Sequence, residues 1–115
     1  MPEAKHLSAA RPAADPDAEW LAGYANGDDA AARALLDRLA PRLLAMATRL
    51  LGDRAEAEDV TQEAMLRLWR RAPDWVDGEA RVSTWVFRVA LNLATDRLRR
   101  RRTTDLGTAF AENAE

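Results

Sequence analysis

The sequence has no cysteine, no isoleucine, one histidine and one lysine. Without cysteine there is no disulfide framework, no thiol nucleophile, no Cys-ligated zinc and no Cys-held iron–sulfur cluster. The lone His6 sits in a polar, Pro- and Ala-rich leader. That excludes Ser-His-Asp and Cys-His catalysis and leaves no histidine cluster for a metal. No apolar stretch approaches the ~20 residues of a membrane span. The leader MPEAKHLSAARPAADP has no apolar h-region, so a signal peptide is not expected either. These absences point to a soluble, cytoplasmic protein with no membrane insertion, no metal and no cofactor. Sixteen arginines against the single lysine, with 25 alanines, reflect GC-rich codons and carry no mechanism.

The chain is 115 residues long, which favours one domain. Hydrophobic residues make up 48%, but alanine buries little, so the core must come from 15 leucines, five valines and four tryptophans. Their spacing is helical throughout, with no period-two alternation. Residues 1–15 read as a flexible leader. Asp15-Pro16 reads as an N-cap and first helical residue, opening a helix over 16–26 with Trp20, Leu21 and Tyr24 inward. Gly27 suits its end, and Asp28 or Asp29 the next cap. A second helix spans about 29–51. Its apolar positions are Leu35, Leu36, Leu39, Leu43, Leu44, Met46, Leu50 and Leu51. Pro41 lies inside it and predicts a kink or break near Arg38–Pro41. Asp53 with Glu56 resembles a capping box for a third helix, 54–72. After the polar loop 73–82 a fourth helix runs from Ser83 or Thr84 to about Arg102. Residues 103–115 read as a linker or a cut end. The fold class is an all-α bundle of three to four helices with flexible termini.

Charge is segregated along the chain. Residues 1–66 carry seven basic and twelve acidic groups, residues 67–102 ten basic and four acidic, and residues 103–115 three acidic and none basic. A near-neutral protein thus contains one basic segment, which suits an anionic partner. At about 100° per residue, Ala57, Val60, Ala64, Met65, Leu68 and Ala72 form the core stripe of the third helix. Asp59, Gln62, Glu63 and Arg70 fall opposite, around Leu66. An apolar centre with a polar rim suits a protein partner. A solvated face with one stray exposed leucine reads equally well from spacing alone. Asp59 with Glu63, or Glu56 with Glu63, has the spacing to share a metal. No histidine and no second carboxylate pair support that use.

On the fourth helix Val86, Phe87, Ala90, Leu91, Leu93, Ala94 and Leu98 form the core stripe. Trp85, Arg88, Asn92 and Arg99 share the face away from it, and the helix ends in four arginines, Arg99 to Arg102. An indole beside guanidiniums and an amide suits single-stranded nucleic acid: the ring stacks on a base, Arg pairs with phosphate and Asn reads a base edge. Cations in a last turn also offset the helix dipole, but four in a row exceed that need. Trp20, Trp69 and Trp75 read as core or loop anchors. Of these, Trp75 stands in the loop before the basic helix.

With these residues in view, the chain resembles the region 2 domain of bacterial sigma factors, of the extracytoplasmic-function (ECF) group. The resemblance rests on AEDVTQEAMLRLWRR (57–71), STWVFRVALNLATDRLRRRR (83–102) and NGDDAAARALLDRLAPRLL (26–44), and covers about Asp17 to Arg102. It implies that Asp59, Gln62, Glu63, Leu66 and Arg70 bind core RNA polymerase at the β′ clamp-helix coiled coil. It implies that Thr84, Trp85, Arg88 and Asn92 recognise and melt the promoter minus-ten element on its non-template single strand. Loop 73–82 would be the base pocket, with Trp75, Arg81 and Ser83 beside it and Arg99 and Arg100 on the strand backbone. An anti-sigma factor is a further implied partner. Ala32, Leu36 and Met65, all read as core positions, stand where the family often carries aromatics. The family's helix-turn-helix domain for the minus-thirty-five element does not follow before Glu115, as expected of an excised domain or a truncated protein. The reading is a non-enzymatic initiation factor domain over 16–102. Its rivals are a sigma-like interaction module that binds an anti-sigma factor without strand-selective DNA binding, and a general single-strand binder with no polymerase partner.

Overall fold

Three aspartates and a glycine place most of the helix boundaries. The structure, a computed structural model, describes residues 15–78 and 80–113, with side chains through 107. It contains helices α1 (Pro16–Ala25), α2 (Asp29–Leu51), α3 (Arg54–Arg71) and α4 (Val82–Asn113), with a 3-10 turn over Ala72–Asp74 and no strand among the described residues. The leader lies outside these residues except for Asp15.

Asp15 Oδ1 accepts from the Asp17 amide at 3.2 Å and opens α1. Asp28 accepts from Ala30 and Ala31 at 3.0 and 3.2 Å and opens α2. Gly52, at φ 66°, closes α2 in the left-handed region that other residues avoid. Asp53 accepts from the Glu56 amide at 3.0 Å and opens α3. The reciprocal half of the capping box is not made, because the Glu56 carboxylate turns to arginines of α4. The start of α4 is capped from afar: the Val82 amide donates to Asp15 Oδ2 at 2.9 Å. One carboxylate therefore serves two helix starts, each of which has orphan N–H groups.

The core follows from i, i+4 rows. Ala31, Leu35, Leu39, Leu43, Ala47 and Leu51 of α2 are buried, as are Val82, Val86, Ala90 and Ala94 of α4. The α3 stripe is buried as its periodicity predicts, from Ala57 to Leu68, with Ala72 following in the 3-10 turn. The same face carries Thr61, whose hydroxyl is satisfied by the Ala57 carbonyl at 2.8 Å. Helix α1 crosses the start of α2 at Gly23, where a Cβ would lie 2.8 Å from that of Ala31. Buried Asp17 ties the same two helices through the Arg38 Nε, 2.7 Å from its Oδ1.

Several expectations are corrected. Pro41 does not break α2, which is continuous from Asp29 to Leu51. The site is exposed, and the helix is held by its buried row on the other side, which outweighs the ~3 kcal/mol cost of an interior proline. Leu36, Leu50 and Leu91, assigned to core stripes, are exposed at 37%, 39% and 44%. The apolar stripe was drawn too wide: the helices meet along narrow i, i+4 rows and leave its edges bare. Helix α4 does not end near Arg102 but continues to Asn113. Beyond Arg102 its described side chains are all exposed, so composition reads as linker where the backbone is helical.

Candidate functional site

Helix α3 packs against α2 on one side and α4 on the other, and this divides its outward residues. Gln62 and Leu66 look toward α2. With Leu36, Pro41, Leu44 and Trp69 they line a groove of about 690 Å³ between the two helices. Leu66, 41% exposed, is therefore not a stray surface leucine: exposed Leu36 lines the same groove. Asp37 and Glu58 stand in its walls and make it acidic. Arg54 Nε, 3.4 Å from Glu58, offsets one of these charges.

The other predicted docking residues lie outside the groove. Glu63 accepts from Arg67 at 3.0 Å and has Arg70 at 4.0 Å, forming a small ion-pair ridge on the outer side of α3. Asp59 faces α4, where Arg97 Nη1 is 3.8 Å from its Oδ2 and 3.8 Å from Glu56 Oε1. The structure thus places Gln62 and Leu66 together, with Glu63 and Arg70 beside them, and sets the exposed Asp59 toward Arg97 of α4.

On α4, Arg88, Asn92 and Arg99 are exposed along one stripe, continued by Thr95 and Arg102. Trp85 is not on that open face. It is half-buried, and Trp75 meets it edge to face at a centroid distance of 6.0 Å and an interplanar angle of 87°. A helical wheel marks Trp85 as outward relative to its own core stripe; the incoming loop then covers it. Edge-to-face geometry sets the positive ring edge against the negative face. The Trp75 indole N–H is buried without a protein acceptor. Arg81 and Thr84 are exposed around this corner, and Ser83 is half-buried.

The terminal arginines are not equivalent. Arg101 turns inward, donating to the Leu51 carbonyl at 3.1 Å and pairing with Glu56. It adds a cation at the C-terminus of α2, where the helix dipole favours one. Arg100 pairs with Asp96, and Arg99 lies 3.8 Å from the same carboxylate. Arg102 makes no ion pair among the described residues. Sequence reasoning missed the inward role of Arg97 and Arg101, the Asp15 bridge and the α2 wall of the groove. All three join segments far apart in the chain, and helical spacing carries no signal for them.

Among the described residues no helix is long and apolar enough to cross a membrane. The sigma-70 region 2 family model matches residues 35–104. The ECF RNA polymerase sigma factor SigL of Mycobacterium tuberculosis is 42% identical over 80 residues, which is 69% of this chain and 45% of that protein. The ECF RNA polymerase sigma factor SigW of Bacillus subtilis is 36% identical over 76 residues, 66% of this chain and 40% of that protein. The RNA polymerase sigma-H factor of Pseudomonas aeruginosa is 32% identical over 101 residues, 86% of this chain and 51% of that protein. The chain therefore spans about half the length of these curated relatives. No solved structure matches it significantly. The matched segment contains all of α3, the tryptophan corner and the arginine stripe, and on it the chain belongs to the sigma-70 region 2 family, in its ECF group.

Proposed function

We propose that this domain is a non-enzymatic transcription initiation module that binds core RNA polymerase and opens the promoter minus-ten element. The observation that carries the proposal is the separation of two unlike surfaces on one small bundle. An acidic-walled apolar groove lies between α2 and α3, and a cationic stripe with an aromatic corner lies on α4. The groove and its rim of Gln62, Glu63, Leu66 and Arg70 take the β′ coiled coil. The stripe of Arg88, Asn92, Arg99 and Arg102 follows the non-template strand. The corner formed by Trp75 and Trp85 holds an unstacked base, with Arg81, Ser83 and Thr84 at its edge. Opening the duplex is then differential binding: the corner offsets the few kcal/mol that unstacking costs, so single strand is held better than duplex. An anti-sigma factor would act by covering the same groove.

Two substitutions test the two surfaces separately. Leu66→Arg puts a charge into the groove and weakens binding to core RNA polymerase by about thirtyfold or more, the range of an interface hot spot. Asn92→Ala leaves polymerase binding intact and weakens a minus-ten single-stranded oligonucleotide relative to the duplex. Salt titration of strand binding gives a slope of about −0.7 per phosphate neutralised. Wild-type affinity for the polymerase with no strand preference would favour an interaction module that serves an anti-sigma factor. Strand binding without polymerase binding would favour a general single-strand binder.

A further inference from the structure

Among the described residues, α1, α2 and α3 each open on a cap of their own, and α4 does not. Asp15, Asp28 and Asp53 accept from amides two or three residues further on. The residue in the same place before α4 is Arg81, whose carbonyl accepts from the Trp85 amide at 3.0 Å. Arginine has no side-chain acceptor, so it cannot cap the helix it starts. The Val82 amide instead donates to Asp15 Oδ2 at 2.9 Å. The first turn of α4 is therefore held by the start of α1. That support is itself fixed: two residues after Asp15, Asp17 is 1% exposed and lies 2.7 Å from Arg38 Nε of α2. Val82 is fully buried, whereas Val76, Asp77, Gly78, Ala80 and Arg81 before it are exposed. Trp85 closes this first turn through its amide, and its ring meets Trp75 edge to face.

We propose that Asp15 is a positioning residue for base capture. Its bond to the Val82 amide sets the first turn of α4, and with it the angle at which Trp85 meets Trp75. This rests on the reading of the tryptophan corner as the place that holds an unstacked base, and it names what aims that corner. Asp15 acts through Val82 and Trp85 and makes no contact with the strand. Stacking depends on ring offset and tilt, so a small turn of one indole changes what the pair can hold. A cap from residue 81 would tie α4 to its own exposed loop. A cap from α1 ties it, through Asp17 and Arg38, to the helix that walls the groove. The cationic stripe needs no such aim, because Arg88, Asn92 and Arg99 lie further along α4 and are exposed.

The test separates the two bonds that Asp15 makes. Asp15→Ser keeps a cap for α1, since serine serves as well as aspartate at that position, but its single, shorter oxygen cannot also reach Val82. Asp15→Ala removes both bonds. Wild type and both variants are titrated with a minus-ten single strand made abasic at one nucleotide at a time, and their thermal midpoints are measured alongside. In wild type one abasic position is expected to weaken binding by about fivefold or more, the lower end for one stacked base. In both variants that position loses its effect, although Asp15→Ser keeps the higher midpoint of the two. The salt slope is the same in all three, because the arginine stripe is untouched. A wild-type abasic profile in Asp15→Ser overturns the proposal and assigns Asp15 to stability alone. Weaker binding in Asp15→Ser with the sensitive position still present overturns it as well. A flat abasic profile in wild type overturns the reading of the corner, and the proposal with it.

Discussion

The outer faces of α3 and α4 read alike in the sequence and behave differently in the fold. Each is a polar stripe with one large apolar or aromatic residue in it, Leu66 on α3 and Trp85 on α4. Leu66 remains exposed and lines the groove that α2 completes from the other side. Trp85 is taken into an edge-to-face pair with Trp75 and packs against the core. A helical wheel reports which side chains leave their own helix's core stripe. Whether they are then free is decided by residues outside that helix, here Trp75 in the loop that leads into α4. The lesson is that α3 presents a surface the fold leaves open to the proposed partner, while the foot of α4 is part of the packing itself. Substitutions should therefore separate binding from stability on α3 and mix them at the foot of α4.

The largest effect that would break this comparison is at Trp85. Trp85→Ala removes half of the aromatic corner and is expected to cost about 3 kcal/mol of stability, the lower end for an aromatic truncated in a core. Denaturant unfolding measures it. A loss within the ~0.5 kcal/mol usual for a free surface residue would return Trp85 to the open stripe and erase the contrast with Leu66. The same reasoning makes Trp85→Ala a poor probe of strand binding, because lost affinity and lost fold would coincide. Asn92 is the cleaner probe: it is exposed, and no other side chain depends on it for an ion pair or hydrogen bond among the described residues.

The next effect sharpens the comparison at the same end of α4. Asp15 caps α1 through one oxygen and α4 through the other. Asp15→Ala removes both caps at once and is expected to cost about 2 kcal/mol, twice the usual value for one cap. Hydrogen exchange identifies the ends affected, with the Val82 amide losing protection. An effect confined to α1 would mean that the start of α4 does not depend on the 67-residue reach to Asp15.

These cases mark how far the sequence could be read. The helix count, the caps at Asp15, Asp28 and Asp53 and the buried stripe of α3 follow from local chemistry, and local chemistry is present in a short window of sequence. Helix α2 was placed correctly at both ends. Its proline predicts a kink or a break, and the break does not occur because a one-helix argument cannot weigh a buried row of four leucines, Leu35, Leu39, Leu43 and Leu51, against one missing hydrogen bond. The candidate surfaces were legible as faces but not as shapes. Leu36, placed in the core by its spacing, is the α2 residue that turns the α3 face into a groove. The arginine run was legible as charge, yet the division of its members between partner and fold depends on Glu56 and Leu51, some 45 and 50 residues upstream.

That division gives the smallest effect and the finest test of the contrast. Arg101 is 42% exposed on its side chain, so its pairing with Glu56 is partly screened by solvent. Its hydrogen bond to the Leu51 carbonyl satisfies one of the orphan acceptors at the end of α2. Together these favour a loss of about 1 kcal/mol for Arg101→Ala, the net worth of one such hydrogen bond. Arg102→Ala, one position on, removes an arginine with no such anchor and is expected to leave stability unchanged while lowering the salt slope of strand binding by about 0.7. The pair therefore reverses between the two measurements. If Arg101→Ala lowers the salt slope and leaves exchange unchanged at the amides of Thr103 and Thr104, both arginines belong to the strand surface. If it increases exchange there and leaves the slope alone, Arg101 is the clasp that carries α4 past the bundle, and the cationic stripe ends with one guanidinium fewer than its sequence displays.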